Sequence, residues 1–109
     1  MKTETIVIED REYTILIGQN ANENDQIIKM SDQNDIWFHF ETISGPHIIL
    51  RSGGDNIPKR YLNEISAKLF RYKPKAPKNQ NVIYTEIKNV KLTTTPGRVI
   101  TKNTKVIRF

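Results

Sequence analysis

Ile36-Trp37-Phe38-His39-Phe40, then Ser44-Gly45-Pro46, then His47-Ile48-Ile49-Leu50-Arg51 is the stretch that decides the fold. Two short runs of β-branched and aromatic residues flank a Gly-Pro turn, which reads as two successive strands. Side chains alternate along a strand, so Ile36, Phe38 and Phe40 share one face of the first strand. Trp37 and His39 share the other.

Working towards the start, residues 5–9 and 13–17 are β-branched runs around a turn at Asp10-Arg11, which predicts a hairpin. Gly18 ends the second run, and residues 20–25 are polar turn and cap formers, with a short helical turn beginning near Asn20. Ile27, Ile28 and Met30 form the next apolar group, before the turn-rich residues 31–35. Working towards the end, Gly53-Gly54 marks a loop, Asn56 can cap a helix and Pro58 suits its first turn. Tyr61, Leu62, Ile65, Leu69 and Tyr72 recur at helical spacing, with Arg60, Glu64, Lys68 and Arg71 on the other side, and Pro74 stops the helix. Residues 73–78 are a stiff basic connector. Residues 82–85, 98–101 and 105–108 read as strands, with turns at Thr95-Pro96-Gly97 and Asn103. The expected fold class is α+β: a mainly antiparallel sheet with one principal helix packed on one face, in a single domain over residues 1–109.

Charge is unevenly placed along the chain. Residues 1–45 hold three bases against nine acids, whereas residues 46–109 hold fourteen Lys and Arg against Asp55, Glu64 and Glu86. The whole carries +5. Such an asymmetry predicts a positive face that meets a polyanion; a solvated Lys-rich surface is the alternative. The sequence contains no cysteine, which excludes disulfides and thiolate metal sites. No apolar run approaches the roughly 18 residues of a membrane span, and no secretory signal opens the sequence, so no membrane partner and a cytoplasmic location are expected.

His39 and His47 lie on adjacent strands and could approach each other, but no HExxH spacing or third ligand accompanies them. Phosphate-loop, dinucleotide and Gly-x-Ser-x-Gly motifs are absent. Nucleic-acid binding asks for cations to hold phosphates and aromatic faces to stack on bases. Arg51, Lys59, Arg60, Lys68, Arg71, Lys73, Lys75, Lys78, Lys88 and Lys91 are the candidate cations. Trp37 and Tyr72 are the candidate stacking faces. If about five phosphates are neutralised, affinity for a single strand should fall with a log–log salt slope near −3.5.

Asp35-Ile36-Trp37-Phe38-His39 with Gly45-Pro46-His47-Ile48-Ile49-Leu50-Arg51 resembles the central motif of the NFACT-R family. Gly18-Gln19-Asn20-Ala21-Asn22-Glu23-Asn24-Asp25 is similar to that family's upstream motif. Asn89-Val90-Lys91 and Pro96-Gly97-Arg98-Val99 are similar to its tail. The four segments are collinear with the family's and span nearly the whole chain. Gln19 stands where the family usually has Arg, Leu92 where it has a second Lys, and Pro46 is the residue before the second histidine.

The resemblance implies an RNA-binding module of proteins that act on stalled large ribosomal subunits and tRNA. Its motif residues here are Gly18, Asn20, Asn24, Asp25, Asp35, Trp37, His39, Gly45, His47, Arg51, Lys91 and Gly97. Asn24, Asp25 and Asp35 are expected to fix loops through side-chain-to-backbone bonds.

The expectation is therefore a non-catalytic RNA-binding module without a cofactor. It would meet tRNA or rRNA through Asn20, Trp37, His39, His47, Arg51, Lys68, Arg71, Lys73, Lys75, Lys88 and Lys91. Alternatives are DNA as the ligand, an adaptor on a ribosomal or nucleoprotein partner, and a small hydrolase or nuclease built on the histidines.

Overall fold

The structure is a computed structural model that describes residues 1–109. Strands β1 (Lys2–Ile8) and β2 (Arg11–Gly18) form the expected hairpin. Its turn is Glu9-Asp10, one residue earlier than the sequence suggests, with φ of 48° and 68°. Two successive positive φ values mark the mirror-image turn whose twist suits two-residue hairpins. Helix α1 (Ala21–Lys29) follows, then β3 (Ile36–Phe40), β4 (His47–Leu50), helix α2 (Lys59–Tyr72) and β5 (Val82–Glu86). A 3-10 turn (Ile87–Asn89) leads into β6 (Val90–Leu92), β7 (Val99–Thr101) and β8 (Lys105–Ile107).

Six strands make one sheet in the order β1-β2-β4-β3-β5-β8, every pair antiparallel. β6 and β7 form a separate antiparallel ribbon. The α+β class with a mainly antiparallel sheet is thus what the chain adopts.

Each sheet face has its own core, and alternation along the strands assigns residues between them. Ile15, Ile17, Phe38, Phe40, Ile48, Leu50 and Val82 pack with Leu62, Ile65 and Leu69 of α2. Leu16, Trp37 and Ile49 pack on the opposite face with Ile27 and Ile28 of α1 and with Ile87, and the ribbon residues Val90, Leu92 and Val99 lie against them. All four residues of β4 are buried, which explains its unbroken apolar run. Ile65 and Leu69 are fully buried, and truncating either to Ala costs about 2–5 kcal/mol.

Three expectations need correction. The sheet is covered on both faces, because the polar stretch after Asn20 is a nine-residue helix and not a single turn. That helix buries only Asn24, Ile27 and Ile28, a stripe one residue wide at spacing three and four. β6 has no counterpart in the sequence reading. Finally, α2 begins at Lys59 with Pro58 in the cap position and no side-chain cap, so Asn56 does not cap it.

Candidate nucleic-acid interface

One groove opens on the α1 face, at the end of the sheet where β2 stops, β3 ends and β4 begins. It is open to solvent, spans about 1040 Å³ and is lined by Gln19 and Asn20, by Trp37, His39 and His47, by residues 40–46, by Tyr72 and Lys73, and by residues 95–99. Segments from the beginning, middle and end of the chain therefore meet there.

Asn20 sits at the N-cap of α1, where its Oδ1 accepts the Glu23 backbone N–H at 2.9 Å. Its amide nitrogen also supports the Glu23 carboxylate, helping to lower that group's pKa, and keeps one N–H free. One helical turn on, the buried Asn24 accepts the backbone N–H of His47 through Oδ1 at 3.1 Å. Gly18 pairs with His47 across β2 and β4, and a Cβ at Gly18 would stand 2.3 Å from that same Asn24 oxygen. Only glycine lets α1 approach closely enough for Asn24 to reach the strand. Asp25 accepts the backbone N–H of Gly97 at 2.9 Å, which draws the turn at residues 95–98 against α1.

His47 is 2% exposed, and the indole N–H of Trp37 donates to its Nδ1 at 3.1 Å. Burial first, and the charge of His39 second, push its pKa down to about 3. Since Nδ1 is an acceptor, the neutral ring carries its proton on Nε2. The His39 ring lies 4.7 Å away, centroid to centroid, in an edge-on arrangement. Burial lowers its pKa, backbone groups of Phe40 and Gly45 oppose the shift, and the Lys73 charge adds to it. Two uncharged imidazoles on the groove floor offer fixed polar contacts and little basicity. No group of three or more His, Asp or Glu side chains is placed to hold a metal ion.

The residues singled out in the sequence divide by position. Asn20, Trp37, His39, His47 and Lys73 come together at the groove. Trp37 is 1% exposed and stacks on His39 with centroids 5.6 Å apart, so it is a support beneath the site and not an open stacking face. Lys73 donates through Nζ to the Ser44 carbonyl, tying the end of α2 to the loop before β4.

Lys68 is not a free cation. Its Nζ lies 3.0 Å from Oε1 of Glu4, whose other oxygen accepts the Tyr72 hydroxyl. Arg51 stands 3.8 Å from the buried Asp35, which accepts backbone N–H groups of Asp32 and Gly53 at the opposite end of β3. Lys88 lies 3.4 Å from Glu86 and lines a second cavity at that end, with Lys59 and Lys105. Arg71, Lys75 and Lys91 are exposed and make no ion pair, but none of them lines the groove. The sequence reading names Gln19 and Arg98 within its motifs without counting either as a contact, yet both are exposed and both line the groove. The signal for Arg98 is the Gly97 turn, whose contact with Asp25 spans 72 residues and is invisible to local pattern.

Residues 3–108 match the family described as the NFACT protein RNA binding domain. Coiled-coil domain-containing protein 25 of Bos taurus is 34% identical over 87 residues, a match covering 74% of this chain and 42% of that protein. The Rqc2 homolog RqcH of Streptococcus suis is 29% identical over 87 residues, covering 79% of this chain and 15% of that one. The solved C-terminal structure of the fibronectin/fibrinogen-binding protein from Streptococcus suis superposes with a TM-score of 0.81 at 25% identity. That superposition covers 99% of this chain and 45% of the other. The chain thus spans less than half the length of each of these relatives. With the family match running almost from end to end and the same fold in a solved relative, the chain belongs to the NFACT RNA-binding domain family.

Proposed function

We propose that this chain is a non-catalytic RNA-binding module that receives RNA in the groove between α1, the loop before β4 and the Gly97 turn. The observation that carries the reading is convergence. Asn20, His39, Gly45, His47 and Gly97 come from three separate motifs and line one cavity. Gly18, Asn24, Asp25 and Trp37, drawn from the same motifs, hold those residues in place. Structural glycines and buried polar hubs account for any single motif, but not for their common destination. Lys73 and Arg98 supply positive charge at the groove itself, whereas Arg71, Lys75 and Lys91 are exposed outside it.

The description of the family favours RNA over DNA, and the RqcH relatives favour a place in ribosome-associated quality control, with tRNA or rRNA as the strand. Titration of a short labelled RNA at low salt, read by fluorescence anisotropy, tests the reading. Arg98→Glu should weaken binding by roughly tenfold or more, with an unchanged circular dichroism spectrum. RNA that fails to bind the unaltered chain at low salt, or binds the variant equally well, sinks it.

A further inference from the structure

We infer that the groove seats one unpaired nucleotide, its base or ribose held by neutral donors from His47 and Asn20 and its phosphate by Arg98 and Lys73. This inference rests on the RNA-binding reading above and names the part of the ligand that enters the cavity.

Charge gives the first argument. The groove holds two cations, Lys73 and Arg98, against one carboxylate, Glu41. A duplex is gripped through a track of phosphates, and its affinity rests on many cations. Two cations match one or two phosphates. What remains of the lining is uncharged: Gln19, Asn20, Thr42, Ser44, Thr95 and the two imidazoles among others.

Hydrogen bonding gives the second. Trp37 occupies Nδ1 of His47, and no bond within the fold uses Nε2–H of that buried ring. The Glu23 backbone N–H occupies Oδ1 of Asn20, and the Asn20 amide also donates to the Glu23 carboxylate, which leaves one amide N–H to spend. Both residues thus face the cavity as donors whose orientation is fixed by the fold. A ligand that satisfies them must bring acceptors, as the carbonyls and ring nitrogens of a nucleobase or the hydroxyls of a ribose do.

Shape gives the third. At about 1040 Å³ the open groove stands just above the usual range for small-molecule sites, room enough for one nucleotide. His47 lies at its floor, 2% exposed. In an A-form duplex the base edges are paired, and the exposed groove is shallow, so they cannot descend to it. An unpaired nucleotide can.

The test compares an unstructured eight-nucleotide RNA with a blunt-ended RNA duplex on the full chain, by anisotropy at several salt concentrations. The single strand should bind at least about tenfold more tightly, with a log–log salt slope near −1.4 for two phosphates. Asn20→Ser keeps a competent N-cap and removes only the amide donors. It should lower single-strand affinity roughly three- to tenfold and leave the slope unchanged. Arg98→Ala should reduce the slope by about 0.7. Equal binding of duplex and strand, a slope near −3.5, or an Asn20→Ser protein with unaltered affinity overturns the inference and leaves RNA binding standing. If neither RNA binds at low salt, the RNA-binding reading falls and takes this one with it.

Discussion

The Nε1–H of Trp37 and the Nδ1 of His47 face each other across 3.1 Å in the core between the sheet and α1. A proton on Nδ1 would set two donors against each other in a buried site, so folding selects the neutral ring. Burial and the neighbouring His39 hold its pKa at about 3, against an ordinary value near 6.5. Between those values the unfolded chain binds the proton and the folded chain does not, so stability rises with pH across that window. The contribution is fully present above about pH 6.5 and is lost progressively towards pH 3, roughly 5 kcal/mol in all. His39, lowered in the same direction, adds to the trend. His47→Asn places an amide oxygen where Nδ1 stood and has no proton to gain. Melting temperatures from pH 7 to pH 4 should therefore fall steeply for the unaltered chain and far less for the variant. Equal slopes would show that His47 does not set the acid limit.

Lys68 belongs to stability, and the same comparison separates it from Arg98. Its ammonium and the Glu4 carboxylate have side chains only 17% and 19% exposed, and Tyr72 shares the carboxylate. Lys68→Ala removes one charged hydrogen bond from a partly screened site, at a cost of about 1 kcal/mol. A lower melting temperature with RNA affinity unchanged within about twofold is expected, the reverse of the Arg98→Ala pattern. Lost RNA affinity at an unchanged melting temperature would restore Lys68 as a phosphate contact.

Ser66 lies fully buried in α2 with a hydroxyl that has no hydrogen-bond partner. A buried polar atom left unpaired costs free energy that an alanine does not, and alanine is also the better helix former. Ser66→Ala should stabilise the domain by roughly 1 kcal/mol in urea unfolding, with the slope on denaturant unchanged. A destabilised variant would mean that the hydroxyl is satisfied in solution, for instance by a water.

The strands around residues 36–40 and 47–50 were legible because alternation and unbroken apolar runs are local signals, and α2 because its apolar stripe recurs over three turns. Helix α1 was not, since a helix that buries only Asn24, Ile27 and Ile28 looks like a polar loop when read residue by residue. Charge misled for the same reason. Lys68 reads as a free cation because its partner, Glu4, lies 64 residues away. The groove was visible only through likeness: motif order named Asn20, His39, His47 and Gly97, and nothing in their spacing shows that Asp25 brings the last of them to the first. Arg98, though part of the tail motif, is not among the candidate cations because its place at the groove depends on that contact.

Gly97 decides where Arg98 stands. Its φ is +80°, and a Cβ there would lie 2.9 Å from both Cα and Cβ of Ala21, the first residue of α1. Gly97→Ala therefore carries a left-handed backbone penalty and a clash with a helix that cannot yield locally, together about 1–3 kcal/mol. The cheapest relief is for residues 95–98 to lift from α1, breaking the Gly97 N–H bond to Asp25 and carrying Arg98 away from the groove. Asp25→Ala releases the same turn without any clash, whereas Asp25→Asn retains an acceptor oxygen. RNA affinity should fall in Gly97→Ala and Asp25→Ala to the level of Arg98→Ala, and largely persist in Asp25→Asn. Combining Gly97→Ala with Arg98→Ala should add little, since both remove the same contact. Full additivity in that double variant would mean that the turn acts on the strand through a residue other than Arg98.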